Sequence, residues 1–199
     1  MGEGRHSLDR AWEREGRAPR MHLVTRLGAV LAGGQSSRFG TDKALAVLHG
    51  ETLLDRARTL LAPQCDAVVV VGREDGVPDW PRPHMGPLGG IAGALRHAAA
   101  HGFAEVLTIA VDAVNLPADL AARLAPAPAC LAAQPVIGLW PVTALPAVEA
   151  ILAGAGRHSM RALADAVAAR AVHLAAEPAN INTPADLAAL ARMEMPDGL

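Results

Sequence analysis

Three short runs, Leu27–Ala32, Ala67–Val71 and Val106–Val111, constrain the fold more than any other feature of this chain. Each is nearly continuously apolar, with Val or Ile recurring, and a strand of that kind is buried on both faces. Segments of helical character, Glu51–Ala62 and Leu88–Ala100, lie between them. This alternation predicts right-handed βαβ units and a parallel sheet. The expected class is α/β, a three-layer Rossmann-like arrangement of a mostly parallel sheet flanked by helices.

The second half is rich in alanine, which favours helix without marking a face. A helix is expected to begin within Pro117–Leu124, with short strands at Ala129–Ala133 and Pro135–Leu139. Helices follow at Ala144–Leu152 and Ser159–Ala169, then a last strand at Ala171–Leu174. Thr183, Pro184 and Asp186 read as an N-cap, a first-turn proline and a first-turn acid of a final helix running to about Arg192.

The first run stops at Gly33-Gly34 and gives way to Ser36, Ser37, Arg38, Gly40, Asp42 and Lys43. Glycines let the backbone approach a ligand closely, so that main-chain N–H groups can point at phosphate oxygens, and Arg38 and Lys43 add positive charge. The stretch therefore reads as a nucleotide-phosphate loop. It is not a Walker A loop, since Ala44 follows Lys43 where Ser or Thr would stand. It is not a dinucleotide fingerprint either, because no G-x-G-x-x-G follows the first strand.

Two further clusters fall at strand-to-helix junctions, the edge where open α/β sheets bind ligands. Gly86-Pro87-Leu88-Gly89-Gly90-Ile91 opens the second helix; Gly89, Gly90 and Gly93 either let that helix pack closely on the sheet or mark a base-binding role for the cluster, with Gly86, Pro87 and Leu88 as candidate binding residues. Asp112 stands at the carboxyl end of the third apolar run, within Val111-Asp112-Ala113-Val114-Asn115-Leu116-Pro117. A carboxylate facing a phosphate loop suits Mg²⁺, which takes oxygen ligands alongside substrate phosphates and water. Asp79, beside Trp80 and Pro81, reads from its chemistry alone as a solvent-exposed acid. His97 and His101 have one-turn helical spacing but no evident third metal ligand.

With 199 residues and 51% apolar content, one substantial core is expected and two ordinary domains are not. The formal charge of −2, without a long basic cluster outside the N-terminal segment, argues against a nucleic-acid partner. Cys65 and Cys130 form no C-x-x-C pair and are expected to be buried, reduced thiols. No apolar stretch of about 18 residues predicts a membrane span, and residues 1–20 lack the apolar segment of a secretory signal. A cytoplasmic location and no membrane association are expected. Residues 1–22, rich in Arg and Glu, are expected to form a disordered extension, with Met21 a candidate start, ahead of a single domain over 23–195.

From Leu27 to Leu190 the chain resembles the molybdenum cofactor guanylyltransferase family, whose members attach GMP to molybdopterin. The strongest match is LAGG followed by S-x-R-x-G-x-D-K, here Leu31 to Lys43. GPLGGI at Gly86–Ile91 is the second, and Ile137-Gly138-Leu139-Trp140-Pro141 resembles the family's central strand. The run Asn180-Ile181-Asn182-Thr183-Pro184-Ala185-Asp186-Leu187 resembles its C-terminal N-x-N-T-P-x-D-L signature. The resemblance implies that Leu31, Ala32, Gly33 and Gly34 hold the nucleotide and that Lys43 contacts its phosphates. It implies that Asp79 contacts GTP, that Asp112 binds GTP and Mg²⁺, and that Asn180 and Asn182 lie on the pterin side.

Arg38, Lys43 and Asp112 are then the expected catalytic residues, with GTP and molybdopterin as substrates. Molybdopterin delivery by other cofactor-biosynthesis proteins and a monomer or weak homo-oligomer are expected. The chain departs from the family at Val114, where D-x-P-x-L-P has its first proline, so that φ is freer and an N–H is restored; a less rigid metal loop is expected. The segment Ala175-Ala176-Glu177-Pro178 also lacks the aromatic residue common in the family. The rival readings are a cytidylyltransferase of the same cofactor, which tends to carry LAAG in place of LAGG, a sugar-phosphate nucleotidyltransferase, and a non-catalytic nucleotide carrier.

Overall fold

The computed structural model describes residues 24–33 and 42–193. The expected N-terminal extension lies outside the described residues, as do Gly34, Ser36, Ser37, Arg38 and Gly40. In chain order the elements are β1 (Arg26–Leu31), β2 (Val47–Leu48), β3 (Glu51–Thr52), α1 (Leu53–Leu61), β4 (Ala67–Val71), α2 (Gly86–Ala100) and β5 (Glu105–Ala110). There follow β6 (Ala113–Val114), α3 (Leu120–Leu124), β7 (Ala129–Leu131), β8 (Gly138–Pro141), α4 (Leu145–Ala153), α5 (Met160–Ala166), β9 (Arg170–Val172), β10 (Ala179–Asn180) and α6 (Pro184–Met193).

Six strands form one sheet in the order β4-β1-β5-β8-β7-β9. β1 runs parallel to β4 and β5, β8 is antiparallel to both its neighbours, and β7 pairs parallel with β9. The expected α/β class with helices on both faces is what the chain adopts. Period-two alternation divides the side chains between two cores. Leu27, Ala29 and Val106 face α2, α4 and α5, against Ile91, Leu95, Val148 and Leu163. Val30, Leu107 and Ile109 face α1 and α3, against Leu53, Leu61, Leu120 and Leu124.

The buried polar side chains of Thr108, Gln64 and Glu105 are paired. Thr108 is fully buried, its Oγ1 donating to the Val136 carbonyl at 2.7 Å and accepting from Trp140 Nε1 at 3.0 Å. A Cβ at Gly138 would lie 2.5 Å from the Trp140 ring, so the indole lies across a residue that must lack a side chain. Buried Gln64 ties α1 to α3, donating to the Leu60 carbonyl at 2.9 Å and accepting from Ala121 N–H at 2.8 Å. Cys65 and Cys130 are both free and buried.

Several boundaries differ from the sequence reading for identifiable reasons. The first helix starts at Leu53, because His49 and Gly50 both have positive φ and turn the chain into a hairpin of β2 with β3. Thr52 then caps α1, its Oγ1 accepting from Asp55 N–H at 3.0 Å. The strand expected over Pro135–Leu139 is Gly138–Pro141, because Ile137 N–H closes a turn on the Gln134 carbonyl at 2.9 Å. No helix among the described residues is long and apolar enough to cross a membrane.

Candidate active site

The carboxyl ends of β1, β4 and β5 lie side by side. Ala32 N–H donates to the Val71 carbonyl at 2.9 Å and Val111 N–H to the Leu31 carbonyl at 3.0 Å. The chain passes from β1 to β4 on one side and then to β5 on the other, so the strand order reverses at β1. Such a switch point is where an open α/β sheet offers its ligand crevice. Leu31, Ala32 and Gly33 sit there. Gly72, which the sequence reading did not single out, meets Gly33 backbone to backbone. A Cβ on Gly72 would lie 2.6 Å from the Gly33 Cα, and Gly72 has a φ of +83°.

Asp42 and Lys43 stand at the end of the sequence motif that begins at Leu31. Asp42 caps a short 3-10 turn over Lys43–Leu45, its Oδ1 accepting from Ala44 N–H at 3.1 Å. Its Oδ2 lies 2.7 Å from Arg73 Nη2. The Arg73 guanidinium, more than any other group, holds the Asp42 carboxyl below the ordinary carboxylate range. Lys43 Nζ donates to Asp112 Oδ2 at 2.7 Å and to Asn182 Oδ1 at 3.2 Å. Residues from the first motif, the third cluster and the C-terminal signature therefore converge on one ammonium.

The geometry gives the C-terminal signature a physical meaning. β10 pairs antiparallel with β6, Asn180 opposite Ala113 and Ala179 opposite Val114. Ile181 N–H donates to the Asp112 carbonyl at 3.0 Å, while the Ile181 side chain is buried. Asn180 and Asn182 flank it, both exposed. Thr183 and Asp186 then form a capping box: Thr183 Oγ1 accepts from Asp186 N–H at 3.2 Å, and Asp186 Oδ2 accepts from Asn182 and Thr183 N–H at 2.9 and 2.8 Å. Asn182 is thus fixed through its backbone by α6 and through its side chain by Lys43. Val114 is buried, and the N–H that it has and a proline lacks is used. With Ile181 N–H on the Asp112 carbonyl, ladder alternation sets Val114 N–H on the Ala179 carbonyl.

Asp79 is half-buried, not solvent-exposed as its chemistry alone implies. The segment after β4 folds back, with Gly72 N–H donating to the Val77 carbonyl at 2.9 Å and Trp80 N–H to the Gly89 carbonyl at 3.1 Å. A Cβ at Gly93 would lie 2.2 Å from the Pro78 carbonyl oxygen, so the glycines of α2 admit this segment at close range. Burial pushes the Asp79 carboxyl up, against the backbone amides of His84 and Met85, which favour its charged form. A Cβ at Gly72 would be 3.2 Å from Asp79 Oδ1, which places this carboxylate beside the Gly33–Gly72 contact. Gly86 and Pro87 are exposed at the start of α2, whereas Leu88 is buried in the core, leaving only its backbone for a ligand.

Among the described residues no group of three or more His, Cys, Asp or Glu is placed to hold a metal. The His97 and His101 rings stack at 4.0 Å, with His101 Nδ1 2.8 Å from the His97 carbonyl oxygen. Asp112 offers hard oxygen donors at a partly open position, its side chain 23% exposed. That donor chemistry fits a hard cation that completes its shell with phosphate oxygens and water.

Residues 28–172 match the MobA-like NTP transferase domain. The chain is 40% identical over 176 residues to the molybdenum cofactor guanylyltransferase of Acidiphilium cryptum, covering 79% of this chain and 90% of that relative. The enzyme of the same name from Rhodobacter capsulatus is 37% identical over 176 residues, covering 81% and 92%. The fold is similar to the crystal structure of molybdopterin-guanine dinucleotide biosynthesis protein A from Archaeoglobus fulgidus. That match has a TM-score of 0.65 at 20% identity and spans 84% of this chain and 97% of that one.

Proposed function

The chain belongs to the MobA-like NTP transferase family, and from that premise we propose that it transfers GMP from GTP to molybdopterin, releasing pyrophosphate and forming the guanine dinucleotide of the cofactor. A phosphate oxygen of molybdopterin attacks the α-phosphorus of GTP, and the bond from that phosphorus to the oxygen bridging to the β-phosphate breaks. No side chain is needed as a nucleophile, so catalysis consists of alignment and of neutralising charge that grows on the leaving pyrophosphate. The observation that carries this reading is the Lys43 ammonium, 2.7 Å from Asp112 and 3.2 Å from Asn182.

Each group has a part. Lys43 and Arg38 supply positive charge to the phosphates, and the backbone of Leu31, Ala32, Gly33 and Gly34 supplies N–H donors. Asp79, with Gly86, Pro87 and the Leu88 backbone, receives the guanine, whose N–H groups need an acceptor. Asn180 and Asn182 face the pterin. Asp112 would hold Mg²⁺, which when bound screens phosphate charge and orients the triphosphate. Purified protein with Mg²⁺, molybdopterin and each of GTP, CTP, ATP and UTP tests this. Pyrophosphate release and a guanine-bearing pterin with GTP alone are expected; turnover with CTP alone would move the chain to a cytidylyltransferase.

A further inference from the structure

The geometry points to Arg73 as a positioning residue for this transfer: we propose that it neutralises and orients Asp42, and through it the turn that presents Lys43. The inference rests on the reading of Lys43 given under the proposed function. Asp42 is an acid next to the lysine of a phosphate site, where a bare negative charge opposes an incoming triphosphate. Its two oxygens are divided between Ala44 N–H at 3.1 Å and Arg73 Nη2 at 2.7 Å. One oxygen fixes the turn and the other takes the countercharge.

Arg73 is itself set at a stiff corner. Gly72 packs backbone against backbone on Gly33, Gly72 N–H donates to the Val77 carbonyl at 2.9 Å, and Gly76 N–H donates to the Arg73 carbonyl at 3.1 Å. The corner that touches Gly33 at the end of β1 therefore also holds Asp42, the residue before Lys43. Lys43 reaches Asp112 and Asn182 from that turn, and a rotation of the turn would move its ammonium off both.

A suppressor test separates this role from direct contact between Arg73 and nucleotide. R73Q leaves Asp42 bare and is expected to lower kcat/KM for GTP about tenfold, with R73K recovering part of the loss. D42N keeps the cap, since an amide oxygen still accepts from Ala44 N–H, and removes the charge that needs neutralising. The double variant D42N/R73Q is expected to lie within about threefold of D42N alone. If the R73Q loss persists undiminished in the D42N background, Arg73 acts on the nucleotide itself and the proposal is wrong; a wild-type rate for R73Q also overturns it. Ala44 amide exchange in nucleotide-free protein gives a readout independent of activity. It should quicken in R73Q, and unchanged exchange refutes the orienting role even if GTP proves not to be the substrate.

Discussion

At the residue scale, burial is what would make Asp79, in the role proposed for it, a discriminating acid. A carboxylate removed from water and fitted against backbone amides has few partners to lose, so a ligand with two N–H donors gains on meeting it. Replacing one acceptor oxygen by an amide nitrogen forfeits one charge-assisted bond, about 1.5–3 kcal/mol. D79N should therefore raise KM for GTP by roughly 10- to 100-fold with a smaller change in kcat. Because burial lifts the Asp79 carboxyl above its ordinary value of 3.8, the folded protein takes up this proton more readily than the unfolded chain. The stability cost of ionising it is absent below 3.8 and grows as pH rises through the lifted value. GTP recognition by Asp79, as proposed, is expected to run the other way and to be lost as pH falls through that same value. A kcat/KM profile with an acid limb in the wild type that is absent in D79N checks recognition, and melting temperatures of the two proteins taken across the acid range check the stability cost.

At the scale of elements, two very short strands join Asp112 to the C-terminal signature. β6 and β10 contribute two residues each, yet they set Asn180 opposite Ala113, next to Asp112, and bring Asn182 to Lys43. Val114→Pro would remove the N–H facing the Ala179 carbonyl and is expected to cost about 1 kcal/mol, or about 2–4 °C in Tm. KM for molybdopterin should rise more than KM for GTP, and thermal melts with the two saturation curves measure this. The long elements of the sheet were legible in the sequence because continuous apolar runs between helical segments have few other solutions. The final helix was legible because Thr183, Pro184 and Asp186 spell a cap. β6 and β10 were not, since two residues carry no periodicity and their pairing is set by chain segments far apart in sequence. Arg73 escaped for the same reason: its meaning depends on Asp42, which lies across the crevice and leaves no local signature. Asp79 was misread because the Pro78–Trp80 segment that shelters it is held by contacts with Gly89 and Gly93, not by a pattern of its own.

At the scale of the whole molecule, the proposed chemistry lies at one end of the central strands, and the opposite end is expected to carry stability. The ends opposite the crevice are closed by a buried ion pair at the first rung of β1 and β5, Arg26 Nε donating to Glu105 Oε1 at 2.6 Å with side chains 13% and 10% exposed. Arg26 Nη1 also donates to the Gln64 carbonyl at 3.1 Å, and Arg26 N–H to Asp66 Oδ2 at 2.7 Å. Glu105→Ala would strand a buried guanidinium and should cost about 3 kcal/mol. That is roughly 6–12 °C in Tm for a domain of this size, with kcat at 25 °C within about twofold of wild type. Lys43→Ala removes a charge from the crevice, where its partner Asp112 keeps contact with solvent. It should leave Tm within a few degrees while lowering kcat by about 100-fold or more. Melting curves and pyrophosphate release, taken in parallel on the two variants, make the comparison. A Glu105→Ala protein that melts normally but turns over slowly would mean that the far rung is coupled to the crevice through β1 and β5, and the division between the two ends would fail.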